Sequence, residues 1–244
     1  MPPEAAQRKE AGHPIDPVEA ELADLSYMVS HDLAAAVRHV SEFSRMLLSD
    51  LGGSLTPRQE RYAERVQLAG GRCQRMLEQL LVFSRAQQKE LACVTHDPAT
   101  LIRMAMLQLS TEMHQSQAKV VIDPLEEVFA DPDLMLLAFK HLLDNAIKFR
   151  RPETAPHIHI TSPPTRNAWT IRISDDGVGV APEYHEKAFR MFQRLNPESA
   201  YPGVGVGLTL CRRIARRHGG EVRFIDQAKG ACVEMTIPHP GESL

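Results

Sequence analysis

The sequence predicts an α+β protein: an N-terminal helical hairpin that builds a dimeric four-helix bundle, followed by an α/β sandwich in which helices cover one face of a mixed sheet. Three observations predict it. Residues 17–89 carry only helical periodicity, broken once at Gly52-Gly53. Beyond Glu90, short β-forming runs alternate with helical stripes. The 244 residues exceed the usual single-domain size, so two modules of roughly 100 and 150 residues fit the length.

Residues 1–16, with Pro2, Pro3 and Pro14 among mixed charges, bury little and read as a disordered lead or the end of a linker, too short for a sensor domain. From 17 to 51, Leu22, Leu25, Val29, Leu33, Val37, Val40, Phe43, Leu47 and Leu51 recur at steps of three and four, a helical stripe. Gly52-Gly53 ends that helix. Thr56, Pro57 and Gln59 then form a capping-box start for a second helix reaching about residue 89. Its apolar positions Tyr62, Val66, Ala69, Cys73, Met76, Leu80 and Phe83 alternate steps of four and three, as in a coiled-coil seam. Two striped helices cannot bury both stripes alone, so a homodimer is expected.

The second module should begin with a strand at 91–95 and a helix from 98 to about 112. Strands at 119–122 and 128–130 follow, then a helix at 132–149 and strands at 157–161 and 169–174. A loop-rich stretch runs to Gly203, before a helix from about 205 to 218 and strands at 221–225 and 232–237. The expected division is 1–16 lead, 17–89 hairpin, 90–240 sandwich and 241–244 tail.

Composition narrows the function classes. A net charge of −3 gives no general attraction to nucleic acid or anionic membrane. No apolar run approaches the roughly 18 to 20 residues of a membrane helix, and the first twenty residues lack the apolar core of a secretory signal, so a cytoplasmic location without membrane insertion is expected. Cys73, Cys93, Cys211 and Cys232 are scattered without a C-x-x-C pair and read as reduced, mostly buried thiols. His157 and His159 share one side of a strand but lack a third ligand for metal. Arg212, Arg213, Arg216 and Arg217 make one helix end basic, a solvated or dipole-complementing face rather than a nucleic-acid site.

Candidate chemistry sits in four places. His31 lies two positions from both Val29 and Leu33, about 200° from each, off the apolar stripe and toward solvent. Its imidazole offers a nucleophilic nitrogen near neutral pH, with Asp32 beside it to orient the ring or accept its proton. Asn145 and Lys148 share a helix face, one offering an amide oxygen to Mg²⁺ and the other a charge to phosphate. Asp175 ends an alternating strand at a pocket mouth and can accept from an exocyclic amine, with Gly177 and Gly179 following. Gly203, Gly205 and Gly207 precede Leu208 and a helix, whose free N–H groups suit a polyphosphate. Each signal alone has a bland counterpart: a surface histidine, a solvated helix end, an Asp-Gly turn, a structural glycine turn. Their order and spacing fit one pocket.

Together these residues resemble the catalytic region of a sensor histidine kinase, a phosphoacceptor hairpin joined to a Bergerat-type ATPase domain. Ser30-His31-Asp32-Leu33 resembles the H box and Leu142-Leu143-Asp144-Asn145-Ala146-Ile147-Lys148-Phe149 the N box. Asp175-Asp176-Gly177-Val178-Gly179 resembles the first glycine box, Phe189-Arg190-Met191-Phe192-Gln193-Arg194 the F box, and Gly203-Val204-Gly205-Val206-Gly207 the second glycine box. The texture of Lys148-Phe149-Arg150-Arg151-Pro152 and His218-Gly219-Gly220 is most similar to the phytochrome-like group. The resemblance implies phosphorylation of His31 with Asp32 assisting proton removal, Mg²⁺ on Asn145, phosphate on Lys148 and adenine read by Asp175. It implies a mobile lid over 189–201 that carries Phe189, Phe192 and Arg194. The implied cofactors are ATP and Mg²⁺, and the implied partners a second copy, a response regulator receiver domain and an upstream sensor module.

Three departures from the family pattern stand out. Ala34, Ala35 and Ala36 replace a polar residue and the proline that kinks the first helix, predicting a straighter helix and putting phosphatase activity in doubt. His141 replaces a second polar metal-side residue of the N box; with no carboxylate to activate water, simple ATP hydrolysis is disfavoured, and His141 itself is a second candidate for the metal. Val204 removes one side-chain hydrogen bond to phosphate. Two rival readings stay open: a phosphotransfer or docking protein with this fold and no ATP chemistry, and an ATPase or protein kinase acting on another substrate.

Overall fold

The structure, a computed structural model, describes residues 17–196 and 201–242, with the helical backbone alone for 17–32. The lead at 1–16, part of the expected lid and the end of the tail lie outside the described residues, as do the side chains of His31 and Asp32.

Helix α1 (Pro17–Leu51) runs unbroken across Ala34, Ala35 and Ala36. It packs along α2 (Pro57–Gln88), which starts at the expected capping box: Gln59 N donates to Thr56 Oγ1 at 3.4 Å while Thr56 N donates to Gln59 Oε1 at 2.8 Å. The hairpin leaves much of its apolar surface uncovered. Val40, Phe43, Leu47, Tyr62, Val66 and Leu68 are exposed, Phe43 by 67% and Leu68 by 73%.

Strand β1 (Val94–His96) pairs antiparallel with β3 (Val128–Ala130) as a separate two-stranded ribbon, outside the main sheet. The helix expected over 98–112 is two: α3 (Pro98–Gln108), capped by Asp97, and α4 (Ser110–Ser116). They part at Leu109, whose φ of −105° and ψ of 19° leave the helical region while its side chain stays buried. The remaining elements are β2 (Lys119–Ile122), α5 (Pro132–Lys148), β4 (His157–Thr161), β5 (Ala168–Asp175), α6 (His185–Ala188), α7 (Gly207–Arg217), β6 (Glu221–Ile225) and β7 (Cys232–Pro238). The stretch expected as loop thus holds α6, preceded by a 3-10 turn at Pro182–Tyr184.

The main sheet has the order β2-β4-β5-β7-β6, parallel between β2 and β4 and antiparallel elsewhere. Alternation sorts its faces. Trp169, Ile171 and Ile173 of β5 pair with Ile237, Met235 and Val233 of β7 and face the helices. There they join Ile102 of α3, Phe139 and Leu143 of α5, and Leu210 and Ile214 of α7. Truncating a residue such as Phe139 to alanine in this layer costs about 3 to 5 kcal/mol. On the opposite face, Glu234 is buried and bridged by Arg172 at 2.7 Å and Arg223 at 2.8 Å, which hold its carboxyl below the usual carboxylate range despite the burial that opposes them. Cys211 and Cys232 are buried, whereas Cys93 is half-buried and Cys73, on the uncovered seam of α2, is exposed.

Hairpin and sandwich meet at Asp131. Fully buried, it caps α5 through Leu134 N at 3.0 Å and Asp133 N at 3.1 Å, takes Ala92 N at 3.0 Å, and binds Lys89 Nζ at 2.5 Å and 2.7 Å. Arg217, at the end of α7, donates to the carbonyls of Ala86 and Lys89. No described helix is long and apolar enough to cross a membrane.

Candidate nucleotide site

Helix α5 is built to show one polar face. Asp131 caps it, Pro132 occupies its first turn, and Leu134, Met135, Ala138, Phe139, Leu142, Leu143, Ala146 and Ile147 turn inward. His141, Asp144, Asn145 and Lys148, at spacings of three and four, are left to line a cleft. Burial lowers the His141 ring to about 4, with Lys140 and Lys148 adding to the effect, so the imidazole is neutral at neutral pH. Burial also pushes Lys148 below its ordinary range, opposed by Asp144, and pushes Asp144 up. Lys148 Nζ sits 4.5 Å from the Phe149 ring centroid.

The opposite wall comes from the end of β5. Asp175 Oδ1 accepts from Gly177 N at 2.8 Å and Ala231 N at 3.2 Å, which orients the carboxyl, and burial raises its pKa against those bonds. Gly177 must be glycine: a Cβ there would lie 2.4 Å from Phe149 O, which Val178 N approaches at 3.0 Å. The third side is the loop leading into α7. Gly205 has φ of +78° and a Cβ would meet Gln193 O at 2.5 Å; its carbonyl accepts from Phe192 N at 2.9 Å. Among the described residues no side chain caps α7, which leaves its first N–H groups at Gly207 without a partner there.

The cleft therefore brings together His141, Asn145, Lys148, Asp175, Gly179, Arg194, Gly203, Gly205, Gly207 and Leu208, all singled out from the sequence. Gly177, Phe189 and Phe192 do not line it. Gly177 is buried behind the wall, and Phe189 is a core residue, 3% exposed, with the Arg212 guanidinium 3.9 Å from its ring centroid and its carbonyl bonded by Thr209 Oγ1. Phe192 carries a left-handed φ of +59° at the root of the expected lid.

Sequence reasoning gave Tyr201 only as the end of the lid, whereas its ring packs 5.2 Å from Phe149 and its carbonyl accepts from Arg194 Nη2 at 2.8 Å; it missed the Gly230-Ala231 turn that holds Asp175. It also missed Gln79 of α2, which reaches the cleft from the hairpin. Lys229-Gly230 between two strands was the available signal for the turn; nothing local marked Gln79. His159 pairs with Asp123 at 3.0 Å, and among the described residues no group of three or more His, Cys, Asp or Glu converges as a metal site.

Residues 130–241 match the family described as histidine kinase-, DNA gyrase B-, and HSP90-like ATPase. Over 239 residues the chain is 27% identical to cyanobacterial phytochrome A of Nostoc sp. strain PCC 7120, covering 98% of this chain and 31% of that protein. The chain thus spans about a third of that relative's length. Among solved structures, full-length ShkA in complex with AMPPNP matches with a TM-score of 0.62 at 21% identity, covering 91% of this chain and 46% of that one. Histidine kinase ThkA in complex with the response regulator protein TrrA matches with a TM-score of 0.58 at 18% identity, covering 89% and 63%. Those two likenesses show the fold. Residues 130–241 are a domain of this ATPase family, and over nearly its whole length the chain is similar to the phytochrome-like group.

Proposed function

We propose that the chain transfers the γ-phosphoryl group of ATP to His31 and then to an aspartate of a response regulator receiver domain. The observation that carries this reading is the single cleft in which Asn145, Lys148, Asp175 and the Gly203, Gly205 and Gly207 loop converge. The cleft suits a nucleotide. Asp175, with Oδ1 fixed by two backbone N–H groups, would accept from the adenine amine; Lys148 and the α7 N-terminus would hold phosphate. Asn145 fits Mg²⁺ as an oxygen donor without a hydrogen-bonding partner for its amide among the described residues. Mg²⁺ supplies charge neutralisation at the phosphates. His31 would attack with a ring nitrogen, forming a phosphorus–nitrogen bond as the bond to the ADP oxygen breaks, and Asp32 would take the imidazole proton.

Residues 17–89 would serve as the phosphoacceptor hairpin and 90–240 as the ATP-binding module, in a cytoplasmic homodimer driven by an upstream sensor module. The exposed apolar face of the hairpin supports the dimer. The ThkA complex with a response regulator supports the partner.

Incubation with γ-labelled ATP and Mg²⁺ tests the reading. Wild type should acquire acid-labile, alkali-stable label that His31→Gln and Asp175→Ala both lose. Label retained in His31→Gln would reassign the acceptor. Absence of any nucleotide binding would favour the docking-protein reading that His141 and the alanine run keep alive.

A further inference from the structure

We propose that Gln79, a side chain of the hairpin, contacts the terminal phosphate of the bound nucleotide and makes the cleft prefer the triphosphate over the diphosphate. This rests on the ATP-binding reading above and deepens it.

The face of α2 that meets the sandwich accounts for Gln79. Ala86 is buried in the sandwich core, and Val82 and Phe83 pack against that core. Gln79 precedes these three by seven, three and four residues, so it continues the same helix face. That face is apolar over the core and turns polar where it meets the cleft, which Gln79 lines. The other side of α2 is engaged with α1: a Cβ at Gly70 would meet Ser41 Oγ at 2.6 Å. Gly70 lies nine residues before Gln79, about 180° around the helix, so Gln79 is turned to the nucleotide module and away from α1.

Position along the cleft assigns the ligand atoms. Helices α2 and α7 pack together and both lead from the cleft to the joint between the modules. In α7 the path runs from Gly207 to Arg217; in α2 it runs from Gln79 to Ala86 and Lys89, whose carbonyls Arg217 binds. At about 1.5 Å per residue, Gln79 lies about 10 Å back from Ala86 and Gly207 about 15 Å back from Arg217, which puts the amide within about one turn of the α7 N-terminus. Adenine is read at the far wall, by Asp175 beside the Gly230-Ala231 turn. A triphosphate extended from that wall past Lys148 to α7 carries its last group toward the hairpin.

The amide suits that group. Gln79 is half-buried and has no hydrogen-bonding partner among the described residues, so its two N–H donors are open to phosphate oxygens. A contact made to the terminal phosphate alone is lost once that group has been transferred. The hairpin thereby distinguishes a chain loaded with ATP from one holding ADP.

The test uses the full chain with Mg²⁺, as wild type, Gln79→Ala and Gln79→Glu, titrated calorimetrically with ADP and with a non-hydrolysable imido analogue of ATP. Wild type should bind the analogue more tightly than ADP. Gln79→Glu replaces donors with a carboxylate and should raise the Kd of the analogue at least about tenfold, the scale of one hydrogen bond to a charged group, with a smaller rise in Gln79→Ala. The Kd for ADP should stay at the wild-type value in both variants, which also shows that they are folded. An analogue Kd unchanged in both variants, or wild type that binds ADP as well as the analogue, would overturn the assignment. Equal weakening of ADP and analogue would overturn it too, since Gln79 would then only shape the wall. Failure of wild type to bind either nucleotide would sink the ATP reading and this proposal together.

Discussion

Asp175 holds a turn through one carboxylate oxygen and leaves the other for the proposed reading of adenine. Oδ1 is spent on Gly177 N and Ala231 N, which ties β5 to the turn before β7, so any reading of adenine falls to the remaining oxygen. Asparagine can keep the carbonyl end toward the two N–H groups, but then presents an amine where an amine must be accepted. Asp175→Asn should therefore stay folded, with a melting temperature close to wild type, and lose nucleotide affinity by at least about tenfold, the scale of one charge-assisted hydrogen bond. Unchanged affinity by calorimetry would remove Asp175 from the site. This residue was legible in the sequence because a strand with clean alternation delivers it. Phe189 was not. An aromatic residue in a glycine- and proline-rich stretch reads as lid, and only the three-dimensional approach of Arg212 and Phe224 makes it core.

At the scale of elements, the joint between α2, α5 and α7 rests on Asp131 and His218. The His218 ring is committed at both nitrogens: Nδ1 donates to Ile214 O at 2.8 Å and Nε2 accepts from Asp131 N at 3.0 Å, an arrangement that requires the neutral form. Burial lowers its pKa from the ordinary 6.5, with Arg217 and Lys89 contributing and Asp131 opposing. Below that value the unfolded chain takes up a proton that the folded one resists. Stability is thus fully present above about pH 6.5 and falls as the pH drops toward the folded value, and His141 acts with the same sign down to about 4. Between pH 7 and 5, His218→Gln should lose part of the decline in melting temperature that wild type shows; parallel curves would mean that the ring is not held neutral. Asp131→Ala removes the cap of α5 and leaves Lys89 without its main partner. It should cost about 3 kcal/mol or more in chemical denaturation, against about 1 for an ordinary cap. Helix starts of this kind were readable because Thr56-Pro57 and Asp131-Pro132 are local signals. The split of α3 from α4, the four residues of α6 and the separate β1–β3 ribbon were not, since the first turns on the backbone at one buried leucine, the second is shorter than the period that would reveal it, and the third is a pairing between segments more than thirty residues apart.

For the whole molecule, the hairpin poses a physical problem that one chain does not solve. Val40, Phe43 and Leu47 follow one another along α1 at steps of three and four, and all are exposed, as are Tyr62, Val66 and Leu68 on α2. A contiguous apolar surface of this kind on a folded protein marks an interface. The sandwich module behaves differently: its core fills the space between α3, α5, α7 and the sheet, and exposed apolar residues such as Leu107, Val121 and Phe129 lie on three different elements. The two modules should therefore respond oppositely to a charge placed on the hairpin. Phe43→Glu puts a carboxylate in the centre of the expected bundle, where an unpaired ion costs several kcal/mol. It should halve the mass measured by sedimentation at micromolar concentration. Affinity for the ATP analogue should be retained, because Phe43 does not line the cleft. Wild-type protein that sediments as a monomer, or a variant that remains dimeric, would show that the exposed stripe is not a dimer contact.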